Sequence, residues 1–200
     1  MANEEVNTGR RRFLTATTAV VGAVGAGFAA VPFIRSWSPS ARARFAGAPV
    51  SQDISALAEG AQMVLNWRGQ PIYIARRSKA MLDVMKTLEP MLADPASNNA
   101  DQQPKYAQNA TRSIKPEISV LVGVCTHLGC VPDFVPVMKP EPFDPEWKGG
   151  FYCPCHKSRY DLAGRVLKAQ PAPANLPVPP YHFQNDNTVV IGVDDPKGAA

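Results

Sequence analysis

All four cysteines and two of the three histidines fall in two short stretches, Cys125-Thr126-His127-Leu128-Gly129-Cys130 and Cys153-Pro154-Cys155-His156-Lys157-Ser158. Each stretch offers one Cys and one His close together, as Cys-x-His in the first and Cys-x-x-His in the second. One further Cys stands in each, Cys130 and Cys155. The set suits a centre of two thiolates and two imidazoles, with two thiols left to staple the stretches together. Zinc takes Cys₂His₂ donors, but finger-type sites pair Cys with Cys and His with His. Mixing Cys with His in each stretch instead suits a [2Fe–2S] cluster with two Cys on one iron and two His on the other, because each stretch then reaches both irons. A structural zinc site and two ordinary disulfides remain open on these residues alone. Four cysteines allow three pairings.

On these two motifs the chain resembles the Rieske iron–sulfur proteins. The resemblance implies one [2Fe–2S] cluster, with Cys125 and Cys153 on one iron and His127 and His156 on the other. It pairs Cys130 with Cys155 as the disulfide typical of the cytochrome bc-type branch; ring-hydroxylating oxygenases and Rieske ferredoxins generally lack that pair. The family pattern places hydroxyl donors at the cluster sulfurs, here Ser158 and Tyr160. Rieske clusters span about −150 to +300 mV, and hydrogen bonds to the sulfurs favour the reduced state. The pattern also assigns quinol contact to the exposed outer imidazole, His156, with His127 exposed as well. These two histidines are therefore the candidate catalytic residues.

The bc-type likeness implies an iron–sulfur subunit of a quinol–cytochrome c reductase in a respiratory chain. It would accept an electron and a proton from ubiquinol near cytochrome b and pass the electron to cytochrome c1, within a dimeric proton-translocating complex. Two other roles compete: an exported Rieske relay of another oxidoreductase, such as arsenite oxidase, and a membrane-tethered zinc-binding module. The chain departs from the family at two positions that usually hold glycine, Lys157 and Gln170. If either backbone position needs φ > 0, a side chain there costs strain or shifts a loop.

The elements that carry these motifs are legible in outline. Ile118-Ser119-Val120-Leu121-Val122-Gly123-Val124 is β-branched and apolar, a strand ending at Cys125. Gly150-Phe151-Tyr152 is a short strand leading to Cys153, and residues 131–148, with Pro132, Pro136, Pro140, Pro142 and Pro145, are largely irregular. Tyr160-Asp161 and Gly164-Arg165-Val166 suggest a hairpin turning at Gly164. Earlier, Gln62–Trp67 and Pro71–Ala75 flank Arg68-Gly69-Gln70 as a hairpin, and Met81, Leu82, Met85, Leu88 and Leu92 recur at helical spacing over 78–92. Residues 93–117 read as a long surface loop. Pro171-Ala172-Pro173 and Pro177, Pro179 and Pro180 form a rigid proline segment, and 188–193 close the chain as a strand after the Asn185-Asp186-Asn187 turn. His182, with no partner motif, reads as structural or exposed. The fold class is mainly β: a small antiparallel Rieske-type domain with one inserted helix and a cluster-binding part at about 123–180, preceded by a transmembrane helix.

Bulk composition agrees. The 200 residues are 45% hydrophobic, enough for one ordinary domain and an appendage. The net charge of +4 owes three charges to Arg10, Arg11 and Arg12, and no basic stripe interleaved with aromatics supports nucleic-acid binding. Arginines before Phe13-Leu14 look like a twin-arginine export signal. The next 22 residues, Phe13–Ile34, carry no charge and are long enough to span a bilayer. The expected order is residues 1–12 cytoplasmic, 13–35 a retained membrane anchor, 36–50 a flexible neck and 51–200 a periplasmic head, on a bacterial inner membrane. Cleavage at Ala41-Arg42-Ala43 or Ala46-Gly47-Ala48 is the competing reading.

Overall fold

A computed structural model describes residues 7–40 and 47–195, and the chain divides into two compact units, residues 1–45 and 46–200. Among its described residues the first unit holds one helix, α1 (Thr8–Ser36). Asn7 caps it, its Oδ1 accepting from the Arg10 N–H at 3.0 Å. The helix is long and apolar enough to cross a membrane. It starts upstream of the expected Phe13 and takes in all three arginines, because a capped N-terminus needs only one good acceptor and Arg is a good helix former. Thr15 and Thr17 donate their hydroxyls back to carbonyls one turn earlier, so they bring few unmet polar groups into an apolar surrounding. The cleavage site at Ala41–Ala43, the middle of the neck (residues 41–46) and so the first residue of the Ala46–Ala48 site lie outside the described residues.

The second unit holds, among its described residues, nine strands in three antiparallel three-stranded sheets. The first sheet orders β1 (Val50–Asp53), β9 (Thr188–Ile191) and β8 (Tyr181–Asn185); the second orders β2 (Gln62–Trp67), β3 (Gln70–Arg76) and β4 (Ile118–Val122). The third, with β5 (Asp133–Val135), β6 (Gly150–Tyr152) and β7 (Arg159–Tyr160), bears the cysteine–histidine loops. Trp67 pairs with Gln70 across a two-residue turn whose Arg68 (φ 54°) and Gly69 (φ 76°) are both left-handed, the geometry that matches strand twist. β4 is buried along its whole length, which is why its sequence is apolar at every position but Ser119 rather than alternating. Ile72, Ile74, Val120, Leu121, Phe151, Leu176, Val189 and Ile191 are fully buried together. Each such side chain contributes about 1.5–3 kcal/mol on leaving water.

Helix α2 (Lys79–Leu88) is capped by Ser78, whose Oγ accepts from the Met81 N–H at 3.3 Å. Met81 and Met85 pack on Leu162 and Ala163, just past β7, so the methionine stripe is core. The helix is shorter than the expected 78–92, continuing only as a 3₁₀ turn, Glu89–Met91, where Pro90 removes an N–H donor.

Two expectations fail. Strands β1 and β8 were not foreseen: each is short and mixed in character, and each is specified by its register with β9 rather than by its own pattern. Residues 93–117 are not a surface loop, since Ser97, Gln103, Ala107, Arg112 and Ser113 are buried. Arg112 donates to the carbonyls of Ala163 (3.2 Å) and Leu176 (2.6 Å), tying the segment beneath the third sheet. Polar composition conceals this, because a guanidinium can be buried when carbonyls take up its protons.

Candidate metal centre

The first loop leaves the second sheet at β4, and the second joins β6 to β7 within the third. β4 reaches the site through Gly123, where an added Cβ would lie 2.4 Å from the Tyr73 ring; no larger residue fits there. The loops are closed by one repeated hydrogen-bond pattern. The Cys125 N–H donates to the Cys130 carbonyl (2.7 Å) and the Gly129 N–H to the Cys125 carbonyl (3.0 Å). Likewise the Cys153 N–H donates to the Ser158 carbonyl (2.8 Å) and the Lys157 N–H to the Cys153 carbonyl (2.9 Å). Gly129 (φ 83°) and Lys157 (φ 64°) therefore occupy equivalent left-handed positions. Lys157 does carry the strain its position implied. Gln170 does not have positive φ; its neighbour Ala169 does (φ 55°).

A disulfide joins Cys130 to Cys155, the pairing the resemblance implies, and holds the loops face to face. Cys125 and Cys153 are free and buried. The imidazoles of His127 and His156 meet edge to face, with centroids 4.7 Å apart. His127 is half-buried and His156 exposed. The Sγ atoms of Cys130, Cys153 and Cys155 also lie within 4.8 Å of one another, but disulfide sulfurs are not thiolate donors, so that trio is no metal site.

The surroundings keep the free Cys153 thiol protonated. Burial pushes the Cys153 thiol up, and its hydrogen bond with Cys125 adds to this, against backbone N–H groups at Cys155 and His156 that pull it down. A buried thiol of this kind becomes a thiolate by meeting a metal. Burial raises the Tyr160 hydroxyl, followed by its contact with Cys125, so it stays protonated as a donor. Tyr160 Oη lies 3.2 Å from Cys125 Sγ and accepts from the Thr126 N–H at 3.3 Å. Thr126 Oγ1 donates to the Ala174 carbonyl (2.6 Å), fastening the first loop to the proline segment. Ser158 is fully buried, and its Oγ accepts from the Ala172 N–H at 3.1 Å. Among the described residues its own proton enters no hydrogen bond. Thr126 was missed in the sequence, although its place between Cys125 and His127 was the available clue.

The residues fit a [2Fe–2S] cluster by one direct observation: His127 Nδ1 is buried and, among the described residues, has no hydrogen-bond partner. An orphaned buried nitrogen is costly unless something ligates it. Two free buried thiols and a second imidazole complete the four donors.

Comparison with known proteins points to the same cofactor. Residues 97–181 match the family described as Rieske [2Fe-2S] domain, and residues 1–40 match that described as Ubiquitinol-cytochrome C reductase Fe-S subunit TAT signal. The chain is 54% identical over 200 residues to the ubiquinol-cytochrome c reductase iron-sulfur subunit of Allochromatium vinosum, covering all of this chain and 95% of that one. It is 41% identical to the subunit of the same name from Bradyrhizobium diazoefficiens, covering 92% and 94%. The Rhodospirillum rubrum subunit is 42% identical, covering 92% and 91%.

Proposed function

Because the chain belongs to the Rieske iron–sulfur subunits of ubiquinol–cytochrome c reductase, we propose that its two loops take an electron and a proton from ubiquinol. The electron then passes to cytochrome c1, the quinol being met beside cytochrome b. The observation that carries this is an asymmetry of burial: the two free thiols are enclosed while His156 is exposed. When bound by Cys125, Cys153, His127 and His156, the cluster supplies a one-electron acceptor. His156, with one ring nitrogen given to the metal and the outer one free of its proton, would accept a hydrogen bond from the quinol hydroxyl and take its proton as the electron leaves. Quinol thereby loses one electron and one proton, and the half-buried ring of His127 packs against that of His156. Tyr160 and Ser158 direct hydroxyl protons at the sulfurs, which favours the more negative, reduced state. The disulfide holds the two loops together, keeping water from the thiols.

In this reading residues 1–12 stay cytoplasmic, 13–35 anchor the subunit, 36–50 form the neck and 51–200 the periplasmic head. Arginines before the apolar run support that orientation. Membership of the family sets aside the arsenite-oxidase and zinc-module alternatives.

The test is an EPR spectrum of ascorbate-reduced membranes that carry the chain, with Cys153→Ser alongside. A rhombic signal with average g below the free-electron value, absent from the variant, is expected. A signal that appears only with dithionite would remove the quinol role, and silence under both reductants would remove the cluster.

A further inference from the structure

Arg159 stands between the two buried hydroxyls, Ser158 and Tyr160, and it is held unusually firmly. Its Nη1 pairs with Asp144 Oδ2 at 2.7 Å, with side chains only 29% and 14% exposed. Its carbonyl accepts from the Leu167 N–H at 3.1 Å. The remaining ties all go to one residue. Gln170 Oε1 accepts from the Arg159 backbone N–H at 3.1 Å and from Arg159 Nε at 3.5 Å. Gln170 Nε2 donates to the Lys168 carbonyl at 3.2 Å, which orients the amide so that its oxygen faces Arg159. A solvated glutamine keeps its rotamer freedom, and ordering one costs conformational entropy. Here the amide oxygen is committed to Arg159 and the amide nitrogen to the Lys168 carbonyl.

We infer that Gln170 is a positioning residue for the cluster's hydroxyl donors, acting through Arg159 to hold Ser158 and Tyr160 at the sulfurs and so to keep the cluster easy to reduce. This rests on the cluster reading above. Hydrogen bonds to ligand sulfur depend steeply on distance and angle. Loosening the residue between two donors therefore weakens both without removing either. Among the described residues Gln170 hydrogen-bonds to none of the four donor residues, so its effect on potential is taken to pass through those hydroxyls.

The experiment uses the full-length chain in detergent extract, with an EPR-monitored redox titration and hydrogen–deuterium exchange of the peptide spanning residues 157–161. Gln170→Met keeps length and removes the acceptor; Gln170→Glu keeps an acceptor oxygen. In Gln170→Met, cluster content is expected to be unchanged, exchange to quicken, and the midpoint potential to fall by less than in Ser158→Ala/Tyr160→Phe. Gln170→Glu restores slow exchange. Added to the Ser158→Ala/Tyr160→Phe background, Gln170→Met produces no further fall. An unchanged midpoint in Gln170→Met would mean that the glutamine only staples its loop, and an equal fall in the double-variant background would mean that it acts by another route. Loss of the cluster from Gln170→Met would make it an assembly determinant; each of these overturns the inference. A missing cluster signal in the unsubstituted chain would overturn the cluster reading itself and is distinguished by where it appears.

Discussion

Lys157 and Gly129 occupy equivalent places in two loops of like hydrogen bonding, and only one is a glycine. A left-handed backbone costs an L-residue about 1–2 kcal/mol, which glycine avoids. Lys157→Gly is therefore expected to stabilise the head by about 1 kcal/mol once glycine's greater unfolded-state entropy is subtracted. A rise of a few degrees in the melting temperature of the detergent-solubilised chain checks this; no rise would show that the loop relaxes around lysine at no cost. The same substitution removes an exposed cation next to His156, which itself favours the reduced state, so the midpoint potential falls while the melting temperature rises. The hydroxyls move in one direction only. Tyr160→Phe and Ser158→Ala each lower the midpoint with the cluster still assembled, and Tyr160→Phe also strands the Thr126 N–H. An EPR-monitored titration in which neither variant shifts would defeat both assignments.

Between residue and domain, the segment after β7 shows how much an element depends on one buried ion pair. Asp161 Oδ1 accepts from the Ala163 N–H (2.9 Å) and the Arg165 N–H (2.8 Å), and Oδ2 pairs with Arg165 Nη2 at 2.8 Å, both side chains almost wholly buried. Arg165 also reaches the Met85 and Pro95 carbonyls, so this turn anchors α2 and the segment after it. Asp161→Asn leaves a buried guanidinium without its counter-charge and should destabilise the head by about 3–5 kcal/mol in denaturant titration. Asp83→Asn, which breaks only the exposed pairs with Lys79 and Lys86, should leave the denaturant midpoint almost unchanged. Equal losses would mean that burial does not set the value of the pair. The contrast explains what was legible in the sequence. β4, the β2–β3 hairpin, α2 and the two loops announce themselves through local patterns of apolar spacing, turn residues and Cys–His spacing. The buried role of Arg77, Arg112 and Arg165 does not, because each depends on carbonyls far along the chain, such as Leu162 for Arg77 and Leu176 for Arg112. Gln170 stood out as an unusual residue, yet its bond to Arg159 could not be read from composition.

At the scale of the whole head, two tyrosine hydroxyls bind its parts to one another. Tyr73 in β3 donates to the Pro132 carbonyl at 2.7 Å, joining the second sheet to the approach of the third, and its ring stacks on Phe151. Tyr181 in β8 accepts from the Ile114 N–H at 2.8 Å, joining the first sheet to the inserted segment. Burial pushes the Tyr73 hydroxyl up to about 12, with the charge of Asp133 adding to it. Burial also raises Tyr181 to about 12, against the Ile114 N–H and Arg77, which lower it. In the unfolded chain both return to about 10. Folded and unfolded states hold the same protons below pH 10, so the stability from these two groups is complete there. Between pH 10 and 12 the unfolded chain ionises first, and stability declines by about 1.4 kcal/mol per pH unit for each tyrosine. Unfolding midpoints in guanidinium at a series of pH values should therefore be flat to about pH 9.5 and fall steeply beyond, with a combined slope near 2.7 kcal/mol per unit from this pair. Tyr73→Phe costs about 1 kcal/mol at neutral pH through the lost hydrogen bond, but its alkaline limb should be shallower by about half of the pair's share. The two curves therefore converge as the pH rises, whereas parallel curves would show that the Tyr73 hydroxyl ionises as readily in the folded head as in the unfolded chain.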